Sequence, residues 1–186
     1  MVYGELDILV YLQWSILQKK KKKCVGYDVD KKKVRSINSG VIPLKDLEKW
    51  FGFDIKKLVK KNYIKATLDF KDLISKEFIA HFIAVPTEKN GKPYYKPLMK
   101  VLDNISKIKN SKNSIPPLII VESTLAPKVS DKKILPFLKR KNFEIGKDIL
   151  FSVAPRRDWF IEGNKNLENL DRVYGCLLYT SPSPRD

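Results

Sequence analysis

Three short apolar runs in this chain end in groups that could bind or react. The first, Cys24-Val25-Gly26-Tyr27-Asp28-Val29-Asp30, closes on acids. A strand ending this way puts the Asp28 carboxylate at the carboxyl edge of a sheet. There it can accept both hydroxyls of an adenosine ribose, which favours NAD over its 2′-phosphorylated relative. An ordinary strand followed by a solvated turn has the same composition. The other two runs, residues 82–87 and 118–124, end in Val85-Pro86-Thr87 and Glu122-Ser123-Thr124, so both place hydroxyls at a strand end.

Groups at strand ends need a sheet to position them, and the intervening segments provide one. Residues 31–38 read as a helix ending near Gly40, and residues 44–51 carry Leu44, Leu47 and Phe51 at helical spacing. Ile55, Leu58 and Val59 continue as a short helix, residues 64–70 are extended, and residues 72–77 form a brief helix. His81-Phe82-Ile83-Ala84-Val85 is a continuous apolar strand of the kind buried in a parallel sheet. A polar loop at residues 88–92 leads to a helix over residues 97–108, with Leu98, Val101, Leu102 and Ile105 on one face. Leu118-Ile119-Ile120-Val121 is a second buried strand. Ser130 or Asp131 can cap a helix running to Arg140, and residues 148–154 form a last strand. Strands alternating with helices predict an α/β fold, Rossmann-like and doubly wound around a mostly parallel sheet.

The composition sets limits. At 186 residues and 43% hydrophobic content the chain suits one domain with a real core. No apolar run reaches the roughly 18–20 residues of a membrane span, and no signal peptide is evident. Two distant cysteines suggest neither a disulfide framework nor a metal site. The expectation is a cytoplasmic protein without metal. The formal charge of +16 suits polyanions, either nucleic acid or a diphosphate-bearing substrate. Because the lysines are scattered rather than gathered on one face, a basic α/β module for nucleic acid stands as the alternative function.

Residues 1–23 break the pattern. A nearly uniformly apolar stretch, which could form a helix, runs into five consecutive lysines at residues 19–23. No Gly-rich phosphate loop precedes Asp28, although a dinucleotide fold places one about 20 residues upstream. Five lysines require an adenine-rich stretch of gene, where the reading frame readily slips. Residues 2–12 read in another frame permit Gly-Ile-Gly-Tyr-Ile-Gly-Leu-Pro, a G-x-G-x-x-G loop beginning at the Gly4/Glu5 junction. The first strand and phosphate loop are therefore expected to be disrupted in a frame-shifted segment, residues 1–23. Residues 176–186 continue no periodicity and match the translation of a common sequencing adaptor; a natural Ser/Pro-rich tail is the other possibility. This tail is expected to be disordered, and Cys176 is set aside as a catalytic group.

Taken together, Gly26-Tyr27-Asp28-Val29-Asp30, Lys33-Val34, Ile83-Ala84-Val85-Pro86-Thr87, Glu122-Ser123-Thr124-Leu125-Ala126-Pro127, Ala154-Pro155 and Arg172-Val173-Tyr174-Gly175 resemble the UDP-glucose/GDP-mannose dehydrogenase family. The resemblance covers residues 24–175, in the family's order and spacing, and the shifted-frame loop matches the family's opening. It is closest to enzymes acting on UDP-N-acetyl-hexosamines. Such enzymes oxidise the C6 alcohol of a nucleotide sugar to a carboxylate by two NAD-dependent hydride transfers, through a thiohemiacetal and thioester on a cysteine.

The resemblance implies that Asp28 holds the adenosine ribose, with Asp30 and Lys33 nearby. Val85, Pro86 and Thr87 would line the cofactor, and Ser123 and Thr124 would sit beside the nicotinamide. Thr124 would be the catalytic hydroxyl, positioning a water, while Pro86 stiffens the backbone beneath the cofactor. Thr87 and Ser123 could instead cap following helices. Where many family members have Pro-Glu, this chain has Arg156 and Arg157, which could meet substrate phosphate or form a surface ion pair. Cys24 and His81 lie in buried strands and read as structural. The family's cysteine-bearing region is not found in this chain. The expectation is therefore the N-terminal NAD-binding part of a UDP-sugar 6-dehydrogenase, inactive as written, from a family of homo-oligomers.

Overall fold

The computed structural model describes residues 2–4, 22–41, 54–74, 78–108, 116–155 and 174–176. The chain divides into two compact units, one built on residues 1–74 and the other on residues 75–157 with the C-terminal residues from 172.

In the first unit, strands β1 (Val2–Gly4), β2 (Cys24–Tyr27) and β3 (Ile64–Thr67) lie in the order β3-β2-β1. All are parallel, with Val2 opposite Gly26 and Gly26 opposite Ala66. A strand thus stands at residues 2–4 where a disrupted one is expected: Val2 and Tyr3 are strand formers and take up the register of β2. The loop that would follow, residues 5–21, lies outside the described residues, as does the expected helix at 44–51.

Helix α1 (Lys31–Asn38) starts where Asp30 accepts the Lys32 and Lys33 N–H groups at 2.7 and 3.4 Å. That satisfies two of the donors every helix start leaves open. Val34 and Ile37, three apart, are its buried residues. The helix stops at Gly40, whose φ of +76° an L side chain rarely adopts. The Asn38 amide then accepts from the Ala66 N–H (2.8 Å) and donates to the Ala66 carbonyl (2.9 Å). This covers part of the edge of β3, which would otherwise be open to pairing. Helix α2 (Ile55–Lys60) follows Asp54 as cap, and α3 (Lys71–Ile74) is a single turn with Leu73 buried. Strand β3 ends at Thr67, earlier than the extended stretch expected to residue 70. The Thr67 hydroxyl donates to Asp72 (2.7 Å), turning the chain into α3.

In the second unit, β4 (Ala80–Ala84), β7 (Leu118–Val121) and β8 (Leu150–Val153) are parallel neighbours in that order. Strand β9 (Gly175–Cys176) runs antiparallel to β8 on its far side, with Ser152 opposite Cys176. This corrects the expectation that the adaptor-like tail is unstructured from its first residue: Cys176 completes a pairing that Gly175 begins. Residues 177–186 lie outside the described residues.

Between β4 and α4 (Lys96–Ile105), the polar loop is in fact a hairpin of β5 (Glu88–Lys89) and β6 (Lys92–Pro93). Its turn is Asn90-Gly91, both at positive φ, the pair best suited to a two-residue hairpin. Helix α4 buries Leu98, Val101, Leu102 and Ile105, the face read from the sequence. Each such side chain is worth about 1.5–3 kcal/mol of burial.

The helix after β7 departs from its expected start. Neither Ser130 nor Asp131 caps it; residues Ser130–Ile134 form a π-helical turn, continued by α5 (Leu135–Arg140). Pro136 explains the widening. It lacks an N–H to give to the carbonyl four residues back, and the Leu135 N–H instead reaches the Ser130 carbonyl.

Candidate functional site: two strand-end clusters

At the end of β2, the Asp28 N–H donates to the Thr67 carbonyl (3.3 Å), extending the ladder one residue past the strand. The Asp28 carboxylate, only 4% exposed, accepts the Asp30 N–H at 2.8 Å. This tight turn throws Val29 outward, where it is 80% exposed. Asp30 is committed to capping α1, and Lys33 lies half-buried in that helix's first turn. Of the three residues expected near the ribose, Asp28 has the recessed strand-end placement. Asp30 acts by starting the helix that follows.

Sequence reasoning passed over three neighbours: Val29, Leu68 and Asp69. Leu68 is exposed just past the end of β3, as Val29 is past β2. Singly exposed apolar side chains are ordinary on a protein surface, so the informative feature here is the buried acid, Asp28. The acid-flanked Asp28-Val29-Asp30 pattern was the available signal. Burial raises the Tyr27 phenol pKa, and the Asp69 and Asp28 carboxylates raise it further. Two acids therefore stand beside Tyr27 at adjacent strand ends.

In the second unit, the register of β4 and β7 brings Val85, Pro86 and Thr87 together with Ser123 and Thr124. The Val85 N–H donates to the Ser123 hydroxyl (2.8 Å), which donates in turn to the Val85 carbonyl (2.7 Å). The Thr87 hydroxyl donates to the Thr124 carbonyl at 2.6 Å. Ser123 and Thr87 thus extend the pairing of β4 and β7 through their side chains, and neither caps a helix. Pro86 and Thr124 are exposed at the same edge. The Thr124 side chain is the hydroxyl left facing outward by this arrangement.

Other candidates settle into structural roles. The Cys24 thiol is buried and its pKa raised by that burial, the reverse of a reactive thiol. His81 is buried in β4, edge-on to Phe78 at 5.5 Å, and burial lowers its pKa to about 3. It stays neutral at ordinary pH and is poorly placed as a base. Arg156 and Arg157 lie outside the described residues. No group of three or more metal-ligating side chains occurs among the described residues, nor is any helix there long and apolar enough to cross a membrane.

Both clusters lie at carboxyl ends of parallel strands, where open α/β sheets bind their ligands. Residues 11–177 match the UDP-glucose/GDP-mannose dehydrogenase family, NAD binding domain. The chain belongs to this family. Its cofactor is NAD, and the donor set fits: Asp28 offers a recessed carboxylate suited to a ribose diol. Among curated proteins, the chain is 26% identical over 142 residues to UDP-N-acetyl-D-glucosamine 6-dehydrogenase of Salmonella typhi. It is 22% identical over 138 residues to protein CapL of Staphylococcus aureus. Each match covers 74% of this chain and 30% of the relative, so the chain spans about a third of their length.

Among solved structures, UDP-N-acetyl-mannosamine dehydrogenase Cap5O of Staphylococcus aureus superposes with a TM-score of 0.74 at 22% identity, covering 95% of this chain and 41% of that one. A GDP-mannose dehydrogenase from Pseudomonas aeruginosa gives 0.71 at 21% identity, covering 95% and 40%. These likenesses establish the Rossmann-like fold. Nothing in the comparisons favours the nucleic-acid alternative. The family match begins at residue 11, so residues 1–10, including β1, fall outside it.

Proposed function

We propose that this chain is the cofactor-binding part of an NAD-dependent nucleotide-sugar 6-dehydrogenase that converts the C6 alcohol of a UDP-sugar to the uronic acid. The proposal rests chiefly on the clamped edge at Val85, Thr87, Ser123 and Thr124, in a chain that belongs to this family. Bound NAD would supply the hydride acceptor for this oxidation. Asp28 holds the adenosine ribose and, by excluding a 2′-phosphate, selects NAD. Pro86 and the clamped Val85 form a stiff floor, and Thr124 presents a hydroxyl able to position a water or substrate oxygen. The protein acts in the cytoplasm, and its complete form is a homo-oligomer.

We further propose that residues 1–23 carry a shifted reading frame. Strand β1 ends at Gly4, the point at which the shifted frame permits a G-x-G-x-x-G loop. Those glycines would let a pyrophosphate approach a helix N-terminus closely.

The test is calorimetric titration of NAD into the chain as written and into a version carrying the shifted-frame residues 2–23. The repaired version should bind NAD more tightly; equal affinity refutes the frameshift. In an NADH absorbance assay, the enzyme carrying its complete catalytic region should reduce NAD with UDP-sugars. Failure with every nucleotide sugar tried refutes the reaction.

A further inference from the structure

We infer that Tyr95 is a positioning residue for the nicotinamide end of the cofactor site, an inference that rests on the functional proposal above. The β5–β6 hairpin leaves the sheet edge at Thr87 and returns at Tyr94, whose N–H donates to the Thr87 carbonyl at 2.7 Å. That closure delivers the half-buried Tyr95 to the loop after β7, where its hydroxyl oxygen accepts the Ala126 N–H at 3.3 Å. The Thr87 hydroxyl holds the Thr124 carbonyl at 2.6 Å. The two contacts bracket Leu125 and fix the backbone on the C-terminal side of Thr124 at two points.

Local turn chemistry directs this loop only from Ala126 onward. Pro127 and Lys128, the latter at a φ of +66°, are the central pair of a turn closed by the Val129 N–H on the Ala126 carbonyl at 3.3 Å, the type II pattern with Pro in first place. Ahead of that turn, residues 124–126 are held by tertiary contacts. Thr87 and Tyr95 supply two, both through the segment that opens and closes the hairpin. Tyr95 therefore acts on the outward-facing Thr124 through the backbone, without needing to touch the cofactor.

The experiment is a nuclear magnetic resonance titration of the 186-residue chain and its Tyr95→Phe variant with NAD and, separately, ADP-ribose, which lacks the nicotinamide. Phenylalanine keeps the ring and removes only the oxygen that Ala126 uses. NAD binding should weaken about three- to tenfold, the worth of one hydrogen bond, while ADP-ribose binding stays unchanged. Amide exchange at Ala126 should quicken with β4 and β7 unaffected. Equal weakening toward both ligands, or none toward either, overturns the inference. If neither ligand perturbs any amide of the parent chain, nor of the version carrying the shifted-frame residues 2–23, at millimolar concentration, the cofactor proposal itself fails and this inference falls with it.

Discussion

Ser123 and Val85 exchange two hydrogen bonds: the serine hydroxyl accepts the valine N–H at 2.8 Å and donates to its carbonyl at 2.7 Å. One side chain thus does the work of a neighbouring strand just where β4 and β7 end. Val85 is only 8% exposed, so its backbone groups have little access to water. Ser123→Ala should therefore destabilise the protein by about 1–3 kcal/mol, the cost of leaving buried polar groups unsatisfied. Urea unfolding monitored by circular dichroism measures this. A change within a few tenths of a kcal/mol would show that water replaces the hydroxyl freely.

Asp28 has the opposite profile, with more consequence for ligand than for fold. In the version with the shifted-frame loop, Asp28→Ala should weaken NAD binding by roughly 1–3 kcal/mol, because the ribose hydroxyls lose their acceptor. Calorimetry of that variant against its parent reads the difference directly. An unchanged affinity would remove Asp28 from the site.

Gly40 is required on two counts. Its φ is +76°, and a Cβ there would lie 2.8 Å from the Lys56 Cα. Gly40→Ala should cost about 1–3 kcal/mol through strain and the forced separation of α1 from α2. Gly91, also at positive φ but with open space around it, is the control. Gly91→Ala should cost less in the same urea titration, and equal costs would show that the contact with Lys56 is immaterial.

His81 is the only histidine in the chain, which makes its titration easy to follow. Burial lowers its pKa from 6.5 to about 3. Between those values the unfolded chain binds a proton that the folded chain refuses, so stability falls as pH drops from about 6.5 toward 3. The slope from this group reaches about 1.4 kcal/mol per pH unit at most. The imidazole carbon-bound proton resonances of the folded protein should not shift between about pH 5 and about pH 8, the range in which an unperturbed histidine changes charge. A midpoint near the ordinary value would contradict the burial of this side chain.

Much of the fold was legible because its signals are local. Val34 and Ile37 follow helical spacing, Asp30 and Gly40 punctuate α1, and the unbroken Leu118-Ile119-Ile120-Val121 run has the composition of a strand inside a parallel sheet. The placement of Asp28 followed from the same logic, an acid closing an apolar run before a helix. The Asn90-Gly91 turn was equally local and was passed over among polar neighbours. What tertiary structure alone decided is where side chains at those strand ends spend their hydrogen bonds. Ser123 reaches Val85 across 38 positions of sequence, and Thr87 reaches Thr124 across 37. Cys176 becomes a strand only because Ser152 lies opposite it. Periodicity, caps and turn residues act over a few residues, whereas these pairings depend on the register of strands brought together by the whole chain. That register is what separates two structural hydroxyls, Ser123 and Thr87, from the one that faces outward, Thr124.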